Sequence, residues 1–237
     1  MNLNSHFDQL LSVFWLRPET ALWRSLDIDA MKGFDFISPS LDLGCGDGIF
    51  SFVRAGGRFD VSFDAFQSIA NLDSFFDKAD VFDSYSKALN PIIIKPADYR
   101  INYALDYKKN LFRKAETLNL YENLAVGNAN ERLPFEDNFF NSIFSNIVYW
   151  LDDPSLTFEE IARILKPKGR CCVMLPNNTF PEFSFYYSLY VKKKDKNFQF
   201  LDKLDRGRIS DNIKHAKSGD EWLEIIGKAG LEVVSHK

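Results

Sequence analysis

The sequence predicts a single α/β domain, and three observations point to it. Leu41-Asp42-Leu43-Gly44-Cys45-Gly46-Asp47-Gly48 reads as a short apolar strand with an acid near its end and a glycine turn opening a helix. Tyr103-Ala104-Leu105-Asp106 is a second apolar run closed by an acid. At 237 residues and 46% hydrophobic, the chain can bury one full core, and an α/β domain of this length is ordinary.

Residues 1–35 carry two helical patterns. Phe7, Leu10, Leu11 and Phe14 recur at helical spacing. Pro18 suits a first helical turn, and Ala21, Leu22 and Leu26 continue an apolar face. The β/α core starts near Leu41. Glycines at alternate positions 44, 46 and 48 let the backbone turn sharply and a ligand lie against it. The helix behind them favours negative charge at its N-terminus, and Gly56-Gly57 stops it early. A dinucleotide fingerprint would space its glycines G-x-G-x-x-G; here the spacing is G-x-G-x-G. From Gly48 to Asp106 is far longer than the roughly 20 residues of a simple βαβ unit, so residues 58–98 are largely an insertion. Phe59, Phe63, Phe66, Phe75, Phe76 and Phe82 alternate there with aspartates. So many aromatic side chains predict a folded segment packed on the core.

Three later segments complete a pattern: Val126-Gly127-Asn128-Ala129-Asn130-Glu131-Arg132-Leu133-Pro134-Phe135, then Phe139-Phe140-Asn141-Ser142-Ile143-Phe144-Ser145-Asn146, then Glu160 to Arg170 with Arg163-Ile164-Leu165-Lys166-Pro167-Lys168-Gly169. With the first two strands, these five motifs in order across residues 41–175 resemble the class I S-adenosylmethionine-dependent methyltransferases, of the methyltransferase type 11 kind. This chain has Asn128 and Asn141 where that family usually has acids, and Lys168 where it has a glycine.

The resemblance implies a Rossmann-like doubly wound sheet, S-adenosyl-L-methionine as cofactor, and roles for named residues. Asp42, Gly44, Cys45, Gly46 and Gly48 meet the methionine part. Asp106 holds the ribose hydroxyls, a task that suits a carboxylate because it accepts two hydrogen bonds from a diol. Asn128 and Ala129 meet adenine, the amide oxygen replacing a charged acceptor. Asn146 lines the cavity beside the transferable methyl. Tyr107 either stacks on adenine or sits exposed in a first helical turn. Arg17 either pairs with the methionine carboxylate or makes a surface ion pair.

After the fifth strand, residues 176–217 carry eight aromatic residues from Phe180 to Phe200, and the resemblance makes this region a cover over the methyl acceptor. Ser218 and Glu221 form a capping box, Gly230 ends that helix, and Leu231-Glu232-Val233-Val234-Ser235 reads as a sixth strand. The family's seventh, antiparallel strand does not follow the sixth here: either the chain is cut short or another segment closes that edge. The domain spans 1–237, with N-terminal helices over 1–35 and lids at 58–98 and 176–217. Both lids and the N-terminal helices are expected to enclose the acceptor.

Methyl transfer is an in-line displacement whose main demand is alignment. Among the histidines, His215 is the one placed to act as a base, and Tyr149 either orients the acceptor or serves as a rim aromatic. The implied substrate is a small molecule methylated at an O or N atom, such as a sugar, nucleotide-sugar or metabolite intermediate. A catalytically silent S-adenosylmethionine-binding regulatory module is the rival reading. The net charge of −4 gives no footprint for nucleic acid. No apolar run approaches the ~20 residues of a membrane span, and the N-terminus lacks a signal-peptide pattern. Cys45, Cys171 and Cys172 form no C-x-x-C pair, so neither metal nor disulfide is expected. The expected setting is cytoplasmic, as a monomer or homodimer, with no membrane or nucleic-acid partner.

Overall fold

The computed structural model describes residues 5–14, 18–64, 91–205 and 216–237. The sheet strands are β1 (Ser40–Leu43), β4 (Ile101–Asp106), β5 (Tyr121–Val126), β6 (Phe140–Ser145) and β7 (Leu165–Val173). They lie in the order β5-β4-β1-β6-β7, and every neighbouring pair is parallel. Strand order reverses at β1, so the crevice beyond its C-terminal end is where an open α/β sheet takes its ligand. Two shorter strands, β2 (Arg58–Phe59) and β3 (Ile93–Lys95), pair antiparallel as a separate ribbon.

Alternation along β1 sorts the core. Leu41 and Leu43 face one side, where helices α5 (Pro154–Ile164) and α7 (Gly219–Lys228, after the short α6 at Gln199–Asp205) pack with Phe158, Ile161, Ile164 and Trp222. The other side receives α1 (Ser5–Val13), α3 (Ile49–Arg54) and α4 (Lys109–Thr117). Leu10, Phe52, Ala115 and Tyr121 bury there together. Helix α2 (Pro18–Ala30) packs on α1, and its Thr20, Ala21, Ser25 and Ile28 are buried. Leu22 and Leu26, expected on the buried face, are 36% and 42% exposed. The two leucines are turned outward.

The start of the first insertion packs on the core as expected. Phe59 and Phe63 are buried and join Phe52 in a chain of ring contacts at 4.8 and 4.6 Å. Phe66, Phe75, Phe76 and Phe82 lie outside the described residues. The capping box of α7 is present: Ser218 N–H donates to Glu221 at 2.8 Å, and Glu221 N–H donates to Ser218 Oγ at 3.3 Å. Gly230 follows in the left-handed region, with φ 81°. The sixth strand does not form. Residues 231–237 pair with no strand among the described residues, and Val234 is 75% exposed. Apolar alternation makes a strand only where a partner ladder satisfies the backbone.

Lys168 stands in a turn within β7 at φ 68°, a conformation that costs a side chain about 1–2 kcal/mol. Lys168→Gly is therefore expected to stabilise the protein by about 1 kcal/mol, read by urea denaturation. No gain in the denaturation midpoint would mean that the lysine side chain offsets the strain.

Candidate cofactor site

The three glycines of the turn each meet a neighbour from a different part of the sheet. Gly44, at φ 80°, lies under Ile147 just past β6, and a Cβ there would fall 2.4 Å from that side chain. Gly46, at φ 55°, donates its N–H to Asp106 Oδ2 at 2.9 Å. Its own Cβ would meet only Leu111, at 4.0 Å, so the space it faces is open to a ligand. Gly48, at φ 76°, packs on Tyr121, whose ring edge would stand 3.0 Å from a Cβ. Replacing any of the three would force a strained backbone, with a collision at Gly44 and a tight contact at Gly48 as well.

Asp106 ends β4 and is 8% exposed. Its second oxygen accepts the Lys108 N–H at 2.8 Å, so one carboxylate ties the glycine turn to the turn after β4. A carboxylate has about four acceptor positions. Two are used, and two remain for a diol. Tyr107 is 66% exposed beside it.

Asp42 points to the α3 side, opposite Leu41 and Leu43. It is 1% exposed, and its Oδ2 accepts from Ser51 Oγ at 2.6 Å and from Tyr121 Oη at 2.7 Å. Burial pushes its carboxyl up to about 6, against the Ser51 and Tyr121 hydrogen bonds and Arg54, which favour the charged form. The structure thus places Asp42 beneath the turn. Cys45 is half-buried within it, its thiol raised by burial and by Asp42 and Asp106.

An acid held above its unfolded value binds its proton more tightly when folded. Stability is full below the unfolded value near 3.8 and falls as pH rises towards 6. The span corresponds to about 3 kcal/mol. Asp42→Asn should lose this dependence, so denaturation of the two proteins between about pH 4 and 7 should diverge by that order. Parallel stability curves would contradict the buried ionisation.

Asn128 is exposed in the turn after β5. Its Oδ1 accepts Asn130 N–H at 3.1 Å and its amide donates to Glu131 at 2.9 Å. Ala129 is buried beside it, and Gly127 N–H donates to the Asp106 carbonyl at 3.1 Å. Asn146 follows β6, and its Oδ1 accepts from Tyr149 Oη at 3.4 Å. Met174 N–H donates to the Ser145 carbonyl at 2.9 Å, so the second insertion leaves the sheet next to Asn146. It then reaches α2, where Phe180 meets Trp23 at 4.7 Å and Phe185 N–H donates to Glu19 at 2.9 Å. Arg17 and His215 lie outside the described residues.

A polar clamp supports the segment 127–135 from behind. Arg163 donates to the carbonyls of Leu133 and Phe135 and to Asp137 and Glu160, over 2.6–3.0 Å. Glu160 in turn accepts Leu133 N–H at 2.8 Å. Hydrogen bonding from Arg163 holds the Glu160 carboxyl below its usual range. Asn141, an acid in the resembling pattern, donates its amide to the Ser38 carbonyl at 2.5 Å, a bond that an aspartate could not make. Four contributors to the site carried no signal in the sequence: Ser51, Tyr121, Ile147 and the Lys108 N–H.

Residues 93–173 match the model of a family described as a methyltransferase domain. A ubiquinone/menaquinone biosynthesis C-methyltransferase of Desulfotalea psychrophila is 31% identical over 140 residues, and the match covers 56% of each chain. The chain therefore spans little more than half the length of that curated relative. Among solved structures, an S-adenosylmethionine-dependent methyltransferase of Thermotoga maritima aligns with TM-score 0.51 at 17% identity, over 96% of this chain and 82% of that one. A Haloferax volcanii complex between the Trm112 methyltransferase activator and a methyltransferase aligns with TM-score 0.50 at 20% identity, over 99% of this chain and 80% of that one. At these identities the structures show the fold alone, a parallel α/β sheet flanked by helices.

Proposed function

We propose that this chain, with a class I methyltransferase fold and a methyltransferase domain matched over residues 93–173, transfers a methyl group from S-adenosylmethionine to a small molecule. The observation that carries the reading is Asp106, a nearly buried carboxylate tied to the glycine turn and keeping two acceptor positions. The open space at Gly46 fits a ligand lying along the turn. The cofactor supplies an electrophilic methyl on a sulfonium.

The chain's own residues do the rest. Gly44, Cys45, Gly46 and Gly48 shape the wall along the methionine part, and Asp42 holds that wall from below. Asp106 takes the ribose hydroxyls, while Asn128 and Ala129 meet adenine and Tyr107 covers one of its faces. Asn146 lines the reaction end, and Tyr149 orients an acceptor hydroxyl or amine through its own hydroxyl. Proton removal falls to His215. The second insertion starts beside Asn146 and crosses to α2, which supports its role as a lid that excludes water from the sulfonium. The acceptor atom is an oxygen or nitrogen; similarity to a C-methyltransferase favours carbon as the second reading.

Methyl-labelled cofactor incubated with a metabolite panel tests the activity, and NMR of the product tells O-, N- and C-methyl apart. Cofactor binding without turnover would instead support a silent binding module. At adenine, Asn128→Asp is expected to retain or tighten S-adenosylhomocysteine binding, because a carboxylate is the stronger acceptor. Asn128→Leu should weaken it several-fold by calorimetry, and equal affinity would place adenine elsewhere.

A further inference from the structure

We infer that Tyr121 is a positioning residue for the cofactor turn, and that the bond from its hydroxyl to Asp42 sets the turn's place above the sheet. The inference rests on the reading of the site given above. Tyr121 opens β5, two strands away from β1, and stands 79 positions from Asp42 in sequence. Its side chain reaches β1 across β4. At the register of Asp42 that strand presents Ala104, which leaves room for the phenol.

Two contacts follow from the reach. The hydroxyl donates to Asp42 Oδ2 at 2.7 Å, and the ring edge lies 3.0 Å from where a Cβ on Gly48 would stand. Ser51 Oγ, one helical turn into α3, donates to the same oxygen at 2.6 Å. Asp42 sits two residues before Gly44, so a single carboxylate fixes the start of the turn, and the phenol fixes the start and the end together. The charged and titratable groups around Asp42 are Arg54 from α3, Asp106 from β4 and Cys45 from the turn. A buried phenol is needed for none of the sheet's backbone pairing. Its hydroxyl would be a cost in this apolar layer unless a partner received it, and that partner is the acid next to the glycines.

The contact predicts coupling between the phenol and cofactor affinity. Tyr121→Phe keeps the ring under Gly48 and removes only the hydroxyl. Calorimetric titration with S-adenosylhomocysteine, well below the melting temperature, should show a several-fold loss of affinity, up to about tenfold, because only the part of the bond that holds the turn in its binding geometry reaches the ligand. In an Asp42→Ala background the same change should alter affinity less than about twofold, because no acceptor is left there. Ser51→Ala is the second variant, with a loss of similar order expected. A tyrosine that serves packing alone would lower the melting temperature and leave affinity unchanged, or lose the same affinity in both backgrounds; either result overturns the inference. Failure of the parent protein to bind S-adenosylhomocysteine would overturn the reading of the site itself, and the inference with it.

Discussion

Asp106→Ala is expected to weaken S-adenosylhomocysteine binding at least about a hundredfold. Each hydrogen bond to a charged acceptor contributes about 1.5–3 kcal/mol, and two would go. The same change strips the Gly46 and Lys108 N–H groups of their acceptor. Asp106→Asn separates the effects. Its amide keeps one acceptor oxygen, so about a tenfold loss is expected, with the turn less disturbed. Calorimetry on folded variants checks both, and unchanged affinity in the alanine variant would remove Asp106 from the site.

The second large effect concerns stability. Arg163→Met should cost about 2–3 kcal/mol, between the values for exposed and for fully buried ion pairs, because this pair is partly buried. The side chains of Arg163 and Glu160 are 16% and 19% exposed, so water cannot replace most of what is lost. Two carbonyls, Leu133 and Phe135, would also lose their donor. Asp137, whose side chain is 62% exposed, provides the contrast: Asp137→Ala should cost no more than about 1 kcal/mol. Urea denaturation of both variants decides, and a small loss at Arg163 would mean that the segment 133–137 is held otherwise.

What the sequence revealed was local. The strand ends at Asp106 and Asn146, the glycine spacing and the Ser218–Glu221 box are each written within a few residues, because turns and caps are short-range chemistry. What it concealed depends on distant partners. Helical spacing marked Ala21, Leu22 and Leu26 as a face, yet of these only Ala21 is buried, together with Thr20, Ser25 and Ile28. Residues 231–235 read as a strand, yet among the described residues no neighbour supplies a ladder. Asp42 looked like a ligand contact until Tyr121 and Ser51 enclosed it from β5 and α3. Gly44 gave its reason only when Ile147 arrived from the far side of β1.

The β2–β3 ribbon gives the chain a port for modular change. Arg58 faces Lys95 and Phe59 faces Ile93, so the two ends of the first insertion meet at strand-pair distance, about 5 Å. Asp98 N–H donates to the Ala55 carbonyl at 2.7 Å and fastens the return. With both ends joined before the sheet resumes, doubling the intervening length costs only about 0.6 kcal/mol of closure entropy. Descendants of this chain could therefore trade that stretch for a longer, shorter or wholly foreign one, leaving the parallel sheet and its glycine turn in register.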